Sequence, residues 1–207
     1  MAEQGQIIKD EKYESIFAYE SKTAQIIASK VMDKPELSPW MILIPIVFIP
    51  FLQRYQKYKD SCKVFRDGFL YTKTIALDIA YKVYRNDLPQ EGVSELVSKI
   101  VQKNSNVVPE VLNIYQKQIQ EIKLLCQHYL ALLNTEKVQY KDMVICYYQN
   151  ESKYRDFLYK LTEAENEVNS AVNATFKEGL IDVPGIMEKM EKYLLQFRLD
   201  EAKKFFN

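Results

Sequence analysis

Apolar residues recur at alternating steps of three and four along most of this chain, which is the spacing of one face of an α-helix. The first such segment, about residues 6–32, has Ile16, Ala24 and Ile27 on one face with lysine and glutamate between them. A turn with two prolines, residues 33–39, ends it because each proline disfavours helical backbone in the residue before it. The pattern therefore predicts an amphipathic N-terminal helix.

Five further helices follow from the same spacing. One covers about residues 53–85, a short one covers 94–103, and a longer one begins at Pro109. We predict a single helix of roughly 60 Å from Tyr140 to near Gly179, and a last helix from Ile186 to about Phe206. Long helices with short connections predict an all-α fold, an elongated antiparallel bundle of long amphipathic helices.

Residues 38–52, SPWMILIPIVFIPFL, form the one long stretch without a charged side chain. As a helix, the part from Trp40 to Leu52 would cover about 20 Å, which is short against a hydrocarbon core of roughly 30 Å. Pro45 and Pro50 each lack the amide hydrogen that a helix interior uses, so we expect a kink or break at each. A bent apolar run of this kind is typical of a segment that dips into a membrane and returns.

Aromatic and basic residues flank this run as they flank membrane segments. The residues predicted to insert into the membrane are Trp40, Ile42, Leu43, Ile44, Pro45, Val47, Phe48, Pro50, Phe51 and Leu52. The cations predicted to contact lipid headgroups are Arg54, Lys57, Lys59 and Lys63. The chain then divides into an N-terminal helix and turn (1–36), an apolar membrane-dipping segment (37–53) and a long-helix bundle (54–207).

Two other environments fit the same run. One is the core of the bundle or an interface with another subunit, because runs of about 10–14 apolar residues are often buried helices. The other is a complete span, which would place the lysines of the N-terminal helix on the far side of the membrane, against the positive-inside tendency.

Composition and charge exclude some partners. The 28 basic residues balance the 28 acidic ones, so there is no general field to attract nucleic acid, and we expect no nucleic-acid partner. The three cysteines, Cys62, Cys126 and Cys146, form no disulfide pattern and favour a reducing compartment. The polar N-terminus lacks the pattern of a secretory signal. We therefore expect the cytoplasmic side of a membrane or, alternatively, the cytoplasm.

No constellation of catalytic or metal-binding residues stands out, so we expect no catalytic site, cofactor or metal. His128 is the only histidine, and we expect it to be partly buried and hydrogen-bonded. Glu163, Glu165 and Glu167 alternate along one helix, where residues two apart point to different sides. We interpret these three glutamates as a solvated face.

Two other features concern the predicted helix from Tyr140 to Gly179 and its neighbour. Cys126 and Cys146 lie among apolar residues, where a thiol behaves as a small core residue. Asn150 falls on the apolar side of the helix, where it either fixes the helix register, as asparagine does in coiled coils, or is partly exposed.

Three functions fit these features. The leading hypothesis is a non-enzymatic, membrane-associated helical scaffold or interaction protein, anchored to the cytoplasmic leaflet by residues 38–52. The alternative is a soluble oligomeric helical adaptor whose apolar segment is buried in the core or a subunit interface. The third is a bundle enzyme acting on a lipidic substrate, for which no nucleophile or base can be named. Membrane lipid is the predicted partner, and a protein partner or self-association is the alternative.

Overall fold

In a computed structural model, the described residues are 2–32, 34, 45–103, 109–175 and 183–207. These residues contain seven α-helices and one 3-10 turn, and no β-strand occurs among them. The predicted all-α helical bundle is therefore confirmed. The helices are α1 (Ala2–Val31), α2 (Pro45–Tyr84), α3 (Val93–Lys103), α4 (Pro109–Leu133), α5 (Tyr140–Tyr148), α6 (Glu151–Thr175) and α7 (Val183–Phe206), with the 3-10 turn at Gln90–Gly92.

Helix α4 lies at the centre of the bundle. It packs against α2, α3 and α6, while α1 packs along α2 and α7, and α7 along α6. The apolar faces meet in one large core, since burying them removes apolar surface from water. Its fully buried members include Ile16, Leu77, Ile79, Ile122, Leu125, Tyr129, Leu132 and Met143. A smaller cluster joins Ile27, Val31 and Leu194 to the half-buried rings of Phe65 and Phe69.

Helix α2 has 40 residues and is therefore about 60 Å long. It begins at Pro45, a first helical position where the missing amide hydrogen has no cost. The helix continues through Pro50, so the break predicted there is not observed. Among its described side chains, the buried ones begin at Thr72. From residue 56 to residue 71, the described side chains of α2 are half-buried or exposed.

The single long helix predicted from Tyr140 to near Gly179 is wrong, because two helices, α5 and α6, occupy this part of the chain. Gln149 ends α5 in the left-handed conformation, with a φ of 68°. The next residue, Asn150, accepts a hydrogen bond at 3.0 Å from the backbone amide of Lys153 and so caps α6. Of the two interpretations of Asn150, a role in fixing helix register and an exposed position, the structure agrees with the second, because Asn150 is exposed.

Candidate functional site

Among the described residues, six charged side chains are buried in the bundle. Lys12 of α1 is separate and donates hydrogen bonds to the backbone oxygens of Leu133 and Thr135. The other five, one from each of α1, α2, α4, α6 and α7, interact with one another. Each is at most 9% exposed, although charged residues are rarely buried unless they are paired. We call this set the charge cluster. Its members are Glu20, Lys73, Glu121, Glu165 and Arg198.

Glu165 is the acceptor at the centre of the charge cluster. Arg198 donates two parallel hydrogen bonds to its carboxylate, of 2.6 and 2.8 Å, and Lys73 donates a third of 3.0 Å. Burial alone would raise the pKa of Glu165, but Arg198 and Lys73 outweigh burial and lower it to about 2. The prediction of a solvated face is therefore wrong for Glu165 and right for its exposed neighbours Glu163 and Glu167.

Glu20 and Glu121 are buried acids that these two cations do not bond. Glu20 accepts a hydrogen bond of 2.9 Å from the Tyr129 hydroxyl, and Glu121 accepts one of 2.7 Å from the Thr72 hydroxyl. Burial raises the pKa of both carboxyls, whereas Lys73 acts in the opposite direction on each. Neither forms a salt bridge with any residue that the structure describes.

The charge cluster therefore contains three acids and two bases. If every group were ionised, its net charge would be one negative charge in a buried environment. A charge in such surroundings is costly unless a counter-charge or a proton neutralises it. The cluster therefore favours one additional proton or one external cation.

An apolar cleft of about 340 Å³ leads from the surface to this cluster. It lies between α2, α4, α6 and α7, and its polar lining includes the buried residues Thr72, Lys73, Glu121 and Glu165. Its walls are mainly apolar and include Phe65, Phe69, Val168, Met187, Met190 and Leu194. An apolar pocket with a few converging polar groups is the usual form of a small-molecule site.

Gly68 is one of the residues that line the cleft. This glycine lies inside α2, where it costs about 1 kcal/mol of helix stability relative to alanine. A β-carbon added there would meet no atom within 4 Å, so close packing does not require glycine. Any larger side chain at this position would occupy space at the cleft.

His128 is buried at a separate position on α4. Its Nδ1 lies 2.8 Å from the Tyr148 hydroxyl, and its ring stacks on Phe157 at 4.1 Å between centroids. Burial lowers the pKa of His128 to about 3, so the ring is neutral in the folded protein. The expected hydrogen bond of His128 is present, but the ring is fully buried, at 4% exposed, and not partly buried as expected.

The two cysteines predicted to be core residues differ. Cys126 is buried in the main core, and burial raises the pKa of its thiol to about 11. Cys146, in contrast, is exposed, so the prediction is wrong for this residue. The buried residues of α5 are Tyr140, Met143, Val144 and Tyr148, and helical geometry places Cys146 on the opposite side of this helix.

The predicted membrane residues fall partly outside the described residues. Trp40, Ile42, Leu43 and Ile44 lie outside them, and the remaining insertion residues, Pro45, Val47, Phe48, Pro50, Phe51 and Leu52, belong to the first turns of α2. We call residues 45–63 the basic arm. Of the predicted headgroup cations, Arg54 also lies in this helical segment, and the side chains of Lys57, Lys59 and Lys63 are exposed on it.

Within the described parts of the chain, no helix combines the length and the apolar content needed to cross a membrane. The described acidic, histidine and cysteine side chains likewise include no group of three or more arranged to hold a metal ion. Comparison with protein-family models, with curated proteins and with solved structures gave no significant match to this chain.

Proposed function

We propose that this protein is a non-enzymatic, membrane-associated helical protein that attaches to the cytoplasmic leaflet through residues 38–52. The helical bundle would then act as a scaffold or interaction surface at the membrane. The observation that carries the proposal is the basic arm, where exposed lysines directly follow an apolar stretch of the same helix.

The charge of the arm suits an anionic leaflet. Lys57, Lys59 and Lys63 are all exposed, and Asp60 is the one acid between them. Each such cation is attracted to an anionic membrane surface by about 1 kcal/mol. Because a lysine side chain is long, its ammonium group can reach the headgroups while neighbouring apolar residues enter the acyl region.

The position of the arm also suits this role. The buried side chains of α2 begin at Thr72, about 30 Å along the helix from Leu52. Among the described side chains of α2, those in the bundle core therefore lie in its second half, whereas Lys57, Lys59 and Lys63 of the arm are exposed. Apolar residues next to cations on a helix are typical of segments that lie in a membrane interface.

Vesicle flotation of the purified protein tests the proposal. We expect the wild type to float with vesicles that contain anionic lipid and to remain bound at high salt. A variant with Ile44→Asp and Phe48→Asp should remain in the bottom fraction with unchanged circular dichroism, because neither substitution touches the buried half of α2.

Charge variants separate headgroup attraction from insertion. Replacing three arm lysines by glutamine (Lys57→Gln, Lys59→Gln, Lys63→Gln) should lower partitioning onto anionic vesicles by roughly 100-fold. A matched control replaces three exposed lysines elsewhere, namely Lys99, Lys203 and Lys204. The proposal fails if the wild type does not float and the double aspartate variant loses a dimer or unfolds. That outcome would favour the soluble oligomeric adaptor, with the segment covered by protein.

A further inference from the structure

We infer that the cleft between α2, α4, α6 and α7 binds an amine with a single apolar chain, and that Glu121 holds the ammonium group. This ligand site is independent of membrane attachment through residues 38–52. The argument rests on the bonding of Glu121, on the charge of the cluster and on the shape of the cleft.

Glu121 lines the cleft and is only 5% exposed. Its one hydrogen bond to a described residue comes from a neutral donor, the Thr72 hydroxyl. A buried carboxylate normally pairs with a cation, because removing its hydration is costly. A ligand ammonium in the cleft would supply that cation and would form a short, charge-assisted hydrogen bond.

The other charged groups determine the sign of the ligand head. Lys73 and Arg198 both bond to Glu165, so the positive charge of each is already paired with a carboxylate. A carboxylate or phosphate head group would add a second uncompensated negative charge, because the three acids of the cluster already outnumber its two cations. A cationic head balances three acids with three cations.

The walls of the cleft determine the rest of the ligand. Phe65 and Phe69 line it from α2, and Met187, Met190 and Leu194 line it from α7. The volume of about 340 Å³ is at the lower end of the range for small-molecule pockets, which suits one short alkyl chain. Methionine side chains adapt their shape, so chains that differ slightly in form would be accepted.

Gly68 provides a variant that closes the cleft without damage to the fold. A β-carbon at this position meets open space, and leucine has a much higher helix propensity than glycine. Gly68→Leu should therefore fold at least as well as the wild type, with an equal or higher Tm, while its side chain occupies the cleft.

The experiment is isothermal titration of the purified full-length chain, without vesicles, with octylammonium, octanoate and 1-octanol. The three probes share one alkyl chain and differ in the charge of the head. We expect octylammonium to bind one to one and at least tenfold more tightly than either of the others. The matched control is Glu163→Gln, an exposed glutamate on α6, which should bind as the wild type does.

Two variants locate the site. Glu121→Gln keeps the shape of the side chain and removes its charge, so the preference for octylammonium should fall by about tenfold. Gly68→Leu should abolish binding of the probe. The variant Ile44→Asp with Phe48→Asp should bind normally, which separates this site from the membrane segment.

Three results would overturn the inference. The first is equal affinity for the three probes, or no binding of octylammonium by the folded wild type. The second is unchanged binding by Gly68→Leu, which would place the probe elsewhere. The third is an unchanged preference for octylammonium in Glu121→Gln. A failure of vesicle flotation would leave this inference intact, because no membrane enters the titration.

Discussion

The substitution Glu165→Gln tests whether the charge cluster stabilises the bundle. Glutamine keeps the size of the side chain but leaves Arg198 and Lys73 buried without their shared counter-charge. Removing one partner of a buried ion pair typically costs about 3–5 kcal/mol. We therefore expect a large loss of stability from a change of very few atoms.

The pKa of Glu165 gives the magnitude independently. The folded protein lowers this pKa from 4.5 to about 2, and one pKa unit corresponds to about 1.4 kcal/mol. The ionised form is thus favoured by about 3 kcal/mol in the folded state. The sign follows from linkage: this contribution is complete above pH 4.5 and is lost as the pH falls towards 2. At neutral pH, Glu165→Gln should remove about 3 kcal/mol and lower the Tm by roughly 6–12 °C.

The assay is urea unfolding at pH 7, followed by far-UV circular dichroism. Glu163→Gln is the matched control on the same helix, and because Glu163 is exposed it should change stability by less than about 0.5 kcal/mol. A triple variant with Glu165→Leu, Lys73→Met and Arg198→Met removes these three charges and should recover part of the loss, because Glu20 and Glu121 then remain buried without a cation. If Glu165→Gln costs no more than Glu163→Gln, the ion pairs contribute no net stability and the reasoning is refuted.

Asn150→Ala removes the cap of α6 and should lower the free energy of unfolding by about 1 kcal/mol in urea, whereas Asn150→Asp should retain the cap and most of the stability. The folded protein lowers the pKa of His128 from 6.5 to about 3, so the unfolded chain binds a proton first as the pH falls below 6.5. This contribution should cost about 2 kcal/mol between pH 8 and pH 5, and it should disappear in His128→Phe; parallel stability curves for the two proteins would contradict it. Iodoacetamide should alkylate Cys146 before the buried Cys126 in the native protein, and peptide mass spectrometry measures the order.

The helices α1 and α4 could be predicted from the sequence because their periodicity is a local property of the chain. Ile16, Ala24 and Ile27 are buried as their spacing predicts, and Pro109 begins α4 as expected. The break before α6 escaped prediction because apolar spacing continues across it. Asn150 was the residue that could have indicated the break, because asparagine is favoured at helix N-caps. The apolar pattern instead placed Asn150 in the interior of a helix.

The charge cluster is indicated by the sequence less clearly than the helices are. Glu165 follows Leu161 by four residues and precedes Val168 by three, which places it on the buried side of α6. Similarly, Arg198 lies four residues after Leu194. A charge at a core-facing position predicts a buried partner, but the identity of the partner depends on which helices meet. The cleft depends on the same tertiary information, so neither feature follows from periodicity alone.

Helix register connects the cluster to the cleft. Five helices contribute one charged residue each, and sliding any of them by one turn, about 5.4 Å, would remove a charge from its present neighbours. Apolar faces rich in leucine and tyrosine discriminate less between such registers, so we infer that the charges select one. The triple variant tests this: a stable protein with broadened NMR signals would support the inference, and sharp wild-type-like spectra would contradict it. In this register Glu121 lines the cleft, and no described cation forms a hydrogen bond or salt bridge with it.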